Sequence, residues 1–262
     1  MVSQFELVLL GALAGFTIYL GLPVALFGVS ERVKGFLTAV SIGILMFLIV
    51  DVFSHAWDVT SDAAKDALRG VAGSSSEAWM FMAAMFGGLA LGLLGLLLYE
   101  RTYMGKGPGK DSSLKISMMI ALGIGAHNLS EGLAIGQSYA GGAIGLALVL
   151  VVGFAVHNAT EGFGIAAPLS GMASKAKGGF LAKVFFIGGA PTFIGTIVGS
   201  VSFSASAYVF FLALAGGALV YVTMLMFNTG RKQYGNGLMM AGIFLGLCAG
   251  FLTDLVVIIG GL

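Results

Sequence analysis

The chain has 262 residues, of which 58% are hydrophobic and only 10% are charged, and its mean hydropathy is +1.01. Soluble domains carry about 25% charged residues, so this composition excludes a water-soluble fold and predicts a membrane protein. The 13 basic and 12 acidic residues nearly balance, which argues against nucleic acid as a partner. The single cysteine, Cys248, excludes a disulfide framework and a Cys-rich zinc site.

Eight apolar stretches are long enough to cross a bilayer, for which a helix needs about 20 residues. The predicted spans lie near 5–28, 36–54, 78–99, 116–138, 143–167, 180–200, 207–227 and 237–260. The longest connections are an acidic segment at 55–77 and a glycine-rich segment at 100–115, which we expect to be loops. The sequence therefore predicts an all-α integral membrane protein, with one transmembrane domain over 1–262.

The distribution of basic residues predicts the orientation of these spans. When alternate connections are assigned to opposite sides, eleven lysines and arginines fall on one side and only Lys65 and Arg69 on the other. Cytoplasmic loops carry the excess of lysine and arginine, so both termini are expected outside the cytoplasm. A compact chain without a large outer domain favours a prokaryotic cytoplasmic membrane as its location.

Two polar residues lie near the predicted outer end of the second span. Asp51 and His55 are four positions apart, so they share one face of a helix. They would either form an entrance site for a cation or simply mark the end of the helix at the membrane interface.

The clearest internal repeat lies in the fourth and fifth spans. The pattern G-x-x-x-H-N-x-x-E-G-x-x-I occurs at 123–135 and again at 153–165, and it contains two of the three histidines of the chain. Its polar members are His127, Asn128 and Glu131 in the first copy, and His157, Asn158 and Glu161 in the second.

Helix geometry explains the spacing within each copy. A histidine at position i and a glutamate at i+4 lie about 40° apart around the helix axis, and an asparagine at i+1 lies about 100° from the histidine. Each copy thus offers nitrogen and oxygen donors of the kind that suit Zn²⁺, Fe²⁺ and Mn²⁺. A charged side chain at mid-membrane costs on the order of 2.5–3.5 kcal/mol, so six recurring polar groups indicate a metal site rather than structural hydrogen bonding.

The short connection between the two copies, around Tyr139 to Gly145, predicts an antiparallel hairpin. A turn centred near residue 142 would place His127 and His157 at equal depth, whereas a turn centred near 146 would do so for Glu131 and Glu161. Either register brings the copies within about 5 Å of each other along the axis, close enough for one composite site.

These motifs resemble those of the ZIP (Zrt/Irt-like) family of divalent metal transporters, which has eight spans and both termini outside. The family carries H-N-x-x-[ED]-G in span four and a related motif in span five, and Ala167-Pro168-Leu169 is similar to the end of the family's span five. The resemblance implies transport of Zn²⁺ first, or of Fe²⁺, Mn²⁺ or Co²⁺, into the cytoplasm. It also implies that the six polar residues of the repeat are the ligands of a transport site that holds one or two ions.

The sequence departs from the family pattern in two respects. The family often has proline just before the motif glutamate, where this chain has Ser130 and Thr160. In span six the family commonly supplies a further glutamate, where this chain has Thr192, and Pro191 is expected to break the helix there instead. The second metal position is therefore expected to be weaker than the first.

Asp254 is a lone carboxylate in the eighth span. It would either act as a gate or proton-linked group on the transport path or pair with a neighbouring helix. Either role would be compatible with transport.

An intramembrane metal-dependent hydrolase is the alternative function, because the same donors could activate water. The sequence contains no H-E-x-x-H motif and no evident spare carboxylate, so we expect a transporter and not an enzyme. The metal ion is then cargo rather than a cofactor. Divalent metal ions and the lipid bilayer are the expected partners, and a homodimer is compatible with the sequence.

Overall fold

The computed structural model describes residues 3–27, 29–103, 112–170, 178–201 and 204–259, and these residues contain helices and connections but no strand. The helices are α1 (Gln4–Phe16), α2 (Leu22–Phe27), α3 (Glu31–Leu68), α4 (Ser74–Tyr103), α5 (Ser112–Ala140), α6 (Ile144–Ala166), α7 (Gly178–Gly199), α8 (Ala205–Tyr234) and α9 (Asn236–Ile259). A 3₁₀ turn at Thr17–Gly21 joins α1 to α2, so these form the first span, and α3 to α9 are spans two to eight. All eight are long and apolar enough to cross a membrane, which confirms the predicted fold class.

The prediction of an outer loop over 55–77 is wrong, because α3 continues to Leu68. Its 38 residues span about 57 Å, well beyond the roughly 30 Å hydrocarbon core of a bilayer. Packing stabilises the extension, since Ala56 and Thr60 are buried and Val59 packs against the cluster that contains Phe81 of α4. Of the connection predicted at 100–115, residues 104–111 lie outside the described residues, as do Lys106, Lys110, Lys175 and Lys177, which entered the charge count.

The expected helix break at Pro191 is also absent, because α7 is continuous from Gly178 to Gly199. A proline removes one backbone N–H donor, whose acceptor would be the carbonyl of Ile187. That carbonyl oxygen packs against Gly125 of α5, which has no Cβ to obstruct it. The carbonyl that the proline leaves without its helical donor is therefore also the point at which α5 approaches α7 closely.

Equivalent helix contacts occur twice in the fold. Gly92 of α4 packs against the carbonyl oxygen of Leu214 in α8, and Gly246 of α9 packs against that of Val40 in α3. The same relation holds one turn earlier for the pairs Gly88 with Phe210 and Gly242 with Phe36. The difference in residue number between Val40 and Leu214 equals that between Phe36 and Phe210. Likewise, the difference between Gly92 and Gly246 equals that between Gly88 and Gly242.

The first and sixth spans form a third equivalent pair. Gly15 of α1 and Gly189 of α7 each pack against the other's carbonyl oxygen. The difference in residue number between Gly15 and Gly189 equals that between Val40 of α3 and Leu214 of α8. Spans one and six are five crossings apart and run in opposite directions, so spans one to three and six to eight are related as an inverted repeat around the α5–α6 hairpin.

The helices fall into two groups by their contacts. We call the helices that pack around the α5–α6 hairpin the inner group, which comprises α1, α2, α5, α6 and α7, and the other four the outer group, which comprises α3, α4, α8 and α9. The two names refer to packing around the hairpin and not to burial or to a side of the membrane. Helix α5 contacts both groups, meeting α8 where Gly123 packs against Val222. The histidine-bearing repeat belongs entirely to the inner group.

Candidate metal centre

The α5–α6 hairpin turns at Gly141, Gly142 and Ala143. Gly142 has φ of 78°, a left-handed conformation that glycine adopts without the steric cost of a Cβ. The turn is thus centred on residue 142, which is the first of the two registers considered from sequence. His127 and His157 lie at equal depth, with ring centroids 6.2 Å apart.

The carboxylate of Glu131 lies between the two imidazoles. Its Oε1 is 3.1 Å from His127 Nε2, and the same oxygen contacts His157 Nε2. One potential ligand atom from each of the three residues lies within 4.8 Å of the others. The structure therefore brings half of the six predicted residues into one cluster, the His–Glu–His triad of His127, Glu131 and His157.

Glu161 occupies a different position from Glu131. It is 2% exposed, interacts electrostatically with both histidines and with Glu131, and is not a member of the triad. By distance and angle neither of its carboxylate oxygens accepts a hydrogen bond among the described residues, although the Asn128 side chain lies close enough to interact with it. A buried carboxylate without a partner is costly, and a cation nearby would offset that cost.

The two asparagines are fully buried and donate their amide hydrogens to other spans. Asn128 Nδ2 donates to the carbonyl oxygen of Gly188 in α7 at 2.9 Å, and Asn158 Nδ2 donates to that of Ala14 in α1 at 3.0 Å. Asn158 Nδ2 also lies 3.2 Å from Glu131 Oε2. The Oδ1 atom of each amide has no hydrogen-bond partner in the part of the chain that is described.

The glycine after each motif glutamate permits these contacts. Gly132 packs against the carbonyl oxygen of Thr192 in α7, and Gly162 packs against that of Ile18 in the first span. A Cβ at either glycine would overlap the neighbouring backbone. Both carbonyls lie four residues after the carbonyl that accepts from the corresponding asparagine, so each copy of the motif meets its neighbouring span in the same way.

Two hydroxyl groups occupy the positions where the resemblance expects proline. Ser130 Oγ donates to the carbonyl oxygen of His127 at 2.6 Å, and Thr160 Oγ1 donates to that of His157 at 2.7 Å. Both helices continue through these residues. In each copy the helix is therefore continuous, and a hydroxyl group rather than a proline lies next to the histidine carbonyl.

No protein-family model matches this chain, and no curated protein matches it.

The three triad residues line a cavity of about 370 Å³. The lining also includes Asp51, His55 and Asp254, so the three secondary candidates face the same space as the triad. His55 Nδ1 lies 3.5 Å from Asp51 Oδ1. The alternative that these two residues mark the end of a helix is wrong, because α3 continues for more than three turns beyond His55.

Sequence reasoning missed other polar residues of this cavity. Tyr208 of α8 and Thr253 of α9 also line it. Neither Tyr208 nor Thr253 belongs to a motif. An interfacial tyrosine or threonine is ordinary in a membrane helix, so the sequence contained no signal for them.

A second, smaller cavity of about 180 Å³ lies at the opposite ends of the helices. It is lined by residues near the start of α3 and α5 and the end of α8, among them Lys34, Ser113 and Gln233. None of the triad residues lines it. The triad is thus accessible from one of these two cavities.

Thr192 is fully buried in α7, and its Oγ1 has no hydrogen-bond partner among the described residues. It holds the position where the resemblance expects a carboxylate. A hydroxyl is a neutral donor or acceptor, so it would offset less of the positive charge of a metal ion than a carboxylate would.

Proposed function

We propose that this protein transports divalent metal ions across the membrane, with Zn²⁺ the first candidate and Fe²⁺, Mn²⁺ and Co²⁺ the others, and that it is a member of the ZIP family. One observation carries the proposal: Glu131 lies between His127 and His157 in the wall of a cavity that extends along α5 from His127 to Ser138. Two imidazole nitrogens and a carboxylate are a common donor set for Zn²⁺ and its neighbours.

The cavity supplies a path to the triad. Asp51 and Asp254 add negative charge to its wall, which would raise the local concentration of cations through electrostatic focusing. A divalent ion that enters exchanges part of its hydration shell for the triad ligands. Because histidine binds metal only as the neutral imidazole, loading depends on the histidines being deprotonated.

The inverted repeat supports an exchange between two access states. Backbone contacts at glycines hold the inner group together, and similar contacts hold the outer group together. A shift of the inner group against the outer group would close the larger cavity and open the smaller one towards the triad. With the lysine-rich and arginine-rich side taken as cytoplasmic, the ion moves into the cytoplasm, in a prokaryotic cytoplasmic membrane or one of similar polarity.

Occupancy by one ion is favoured over two. Glu161 and the amide oxygens of Asn128 and Asn158 are buried acceptors that could contact a second ion. The hydroxyl of Thr192 offers no charge to it, so two divalent ions would share fewer carboxylates than the resemblance implies. We expect one tightly bound ion per chain.

A metal-dependent hydrolase is the second candidate, and one observation favours it. Glu161 lies outside the triad but close enough to interact with both histidines, so it could serve as the base that a zinc hydrolase requires. Hydrolysis of lipid or peptide by the purified protein, abolished by Glu161→Gln with metal still bound, would establish this alternative.

Uptake into proteoliposomes tests the transport proposal. Vesicles that contain a zinc-sensitive dye report entry of external Zn²⁺ through the wild type, His127→Ala, Glu161→Ala and a control, Glu77→Ala, whose residue is exposed on α4. We expect uptake by the wild type and the control, and loss in the two site variants. Equal uptake by all four proteins would overturn the transport site.

A further inference from the structure

Each of the two buried asparagines uses its amide nitrogen to bond a neighbouring span, which leaves its amide oxygen available for another contact. Each amide has a fixed orientation, because a carbonyl can only accept and must therefore face Nδ2. Asn128 faces Gly188 O in this way, and Asn158 faces Ala14 O. Each Oδ1 atom is left as a buried acceptor with no partner among the described residues.

The two accepting carbonyls lie at equivalent places in the inverted repeat. Gly188 in α7 corresponds to Ala14 in α1 by the offset that also relates Gly189 to Gly15. Gly188 is three residues before Pro191 in the continuous helix α7, and Ala14 is three residues before Thr17, where α1 gives way to the 3₁₀ turn. A backbone carbonyl oxygen has two lone pairs, so each can accept from a side chain of another span besides its local donor, which for Ala14 includes Thr17 Oγ1 at 2.7 Å.

We propose that Asn128 and Asn158 are positioning residues that connect the bound ion to spans six and one, so that metal occupancy tightens the inner group into the unit that moves. The inference rests on the proposed transport function. An ion that contacts Oδ1 polarises the amide and strengthens the bond from Nδ2 to the carbonyl, as in any chain of hydrogen bonds. The α5–α6 hairpin then carries α1 and α7 with it when it shifts against the outer group.

A conservative substitution separates this role from simple ligation. Aspartate at 128 or 158 keeps an oxygen ligand and adds negative charge, but an ionised carboxylate has no hydrogen to donate to the carbonyl. If the asparagines act only as ligands, Asn128→Asp should bind and transport Zn²⁺ at least as well as the wild type. If they connect the ion to the neighbouring spans, binding is retained and turnover falls.

The experiment measures Zn²⁺ binding to purified protein and initial uptake rates in proteoliposomes for Asn128→Asp and Asn158→Asp. Asn228→Asp is the matched control, since Asn228 is exposed on α8 in the outer group. At saturating Zn²⁺ we expect the maximal rate of both site variants to fall by about tenfold, the loss of one buried hydrogen bond. For Asn128→Asp the dissociation constant should stay within about threefold of the wild type. Asn158→Asp also loses the bond from Nδ2 to Glu131 Oε2, so its affinity is expected to change and only its maximal rate tests the proposal. A maximal rate equal to that of the control in both variants, or a parallel loss of binding in folded Asn128→Asp, would overturn the proposal.

Hydrogen–deuterium exchange on the wild type keeps the inference testable if the aspartate variants do not fold. Saturating Zn²⁺ should slow the exchange of backbone amides near Ala14 to Gly21 and near Gly188 to Gly195. In folded variants, Asn158→Asp should abolish the first effect and Asn128→Asp the second, each leaving the other in place. Zn²⁺ that binds without slowing exchange in either segment would overturn the proposal, whereas an absence of binding and uptake by the wild type would instead refute the transport function.

Discussion

Glu131 on α5 contacts the imidazole of His157 on α6, so the carboxylate of one repeat lies against the histidine of the other. Its partner on its own helix, His127, lies 3.1 Å from the same oxygen. This shared oxygen makes Glu131 the centre of the triad. Glu161, its counterpart in the second repeat, has no such position, so the two copies of the motif are equivalent in sequence but not in their contacts.

This asymmetry predicts unequal effects of removing the two carboxylates. Glu131→Gln keeps the side-chain shape but removes the charge that both histidines face, so we expect Zn²⁺ affinity to fall by more than the roughly 10–100-fold typical of an outer-shell change. Glu161→Gln should have a smaller effect. Calorimetric titration of both purified variants measures the difference, and equal losses would contradict the assignment of Glu131 to the centre.

Acidification should weaken metal binding. Two of the three triad members are histidines, which must be neutral to coordinate an ion, and protons therefore compete with the metal. We expect Zn²⁺ affinity to decrease steadily as the pH is lowered from about 7.5 to about 5.5. Zn²⁺ titrations of the purified protein across this pH range measure the expected decrease in affinity. A pH-independent affinity would exclude the two imidazoles as ligands.

The glycines after the motif glutamates should be intolerant of even a methyl group. Alanine at Gly132 or Gly162 would overlap a backbone carbonyl of a neighbouring span, and overpacking of this kind costs about 1–3 kcal/mol. We expect a clear decrease in thermal stability in detergent for both variants.

Gly87→Ala provides the control for this comparison. Gly87 is also helical, but nothing lies within 4 Å of the Cβ that alanine would add. Its stability should be unchanged or slightly higher, because alanine favours the helix by roughly 1 kcal/mol over glycine. A decrease as large as that of Gly132→Ala would show that the close contact is not the cause.

The carboxylates of the larger cavity should affect ion capture more than ion binding at the triad. For Asp51→Asn and Asp254→Asn we expect a higher half-saturation concentration for uptake, with a difference from the wild type that shrinks as ionic strength rises. Asp58→Asn is the control, because Asp58 is exposed on α3, the helix that carries Asp51, and does not line the cavity. Salt-independent effects would point to direct coordination instead.

The orientation inferred from the basic residues can be measured by cysteine labelling. Replacement of Cys248 by alanine gives a background without thiols, since the chain has one cysteine. In that background we expect Ser75→Cys, in the exposed first turn of α4, to react with an impermeant reagent added outside intact cells. Lys232→Cys, at the far end of α8, should react only after the cells are opened. The reverse pattern would invert the predicted topology.

Several fold predictions from sequence were accurate because they depend on local properties. The length and hydropathy of each stretch led to eight spans, and all eight are present. The errors at 55–77 and Pro191 have a tertiary origin. Packing of Val59 against the cluster around Phe81 accompanies the extension of α3, and α7 continues through Pro191 where the Ile187 carbonyl packs against Gly125.

The recurring spacing of histidine, asparagine and glutamate was enough to identify the α5–α6 hairpin as the candidate site, because positions i and i+4 share a helix face, and i+1 lies about 100° from i, whatever surrounds them. Only the tertiary structure decided that Glu131 rather than Glu161 lies between the histidines, and that both asparagines turn their amide nitrogens towards α7 and α1. Those outcomes depend on the register of two antiparallel helices and on where neighbouring carbonyls approach them. The inverted repeat of the flanking spans likewise became evident only from their glycine contacts, since a glycine that meets a carbonyl need share no wider sequence pattern with its counterpart.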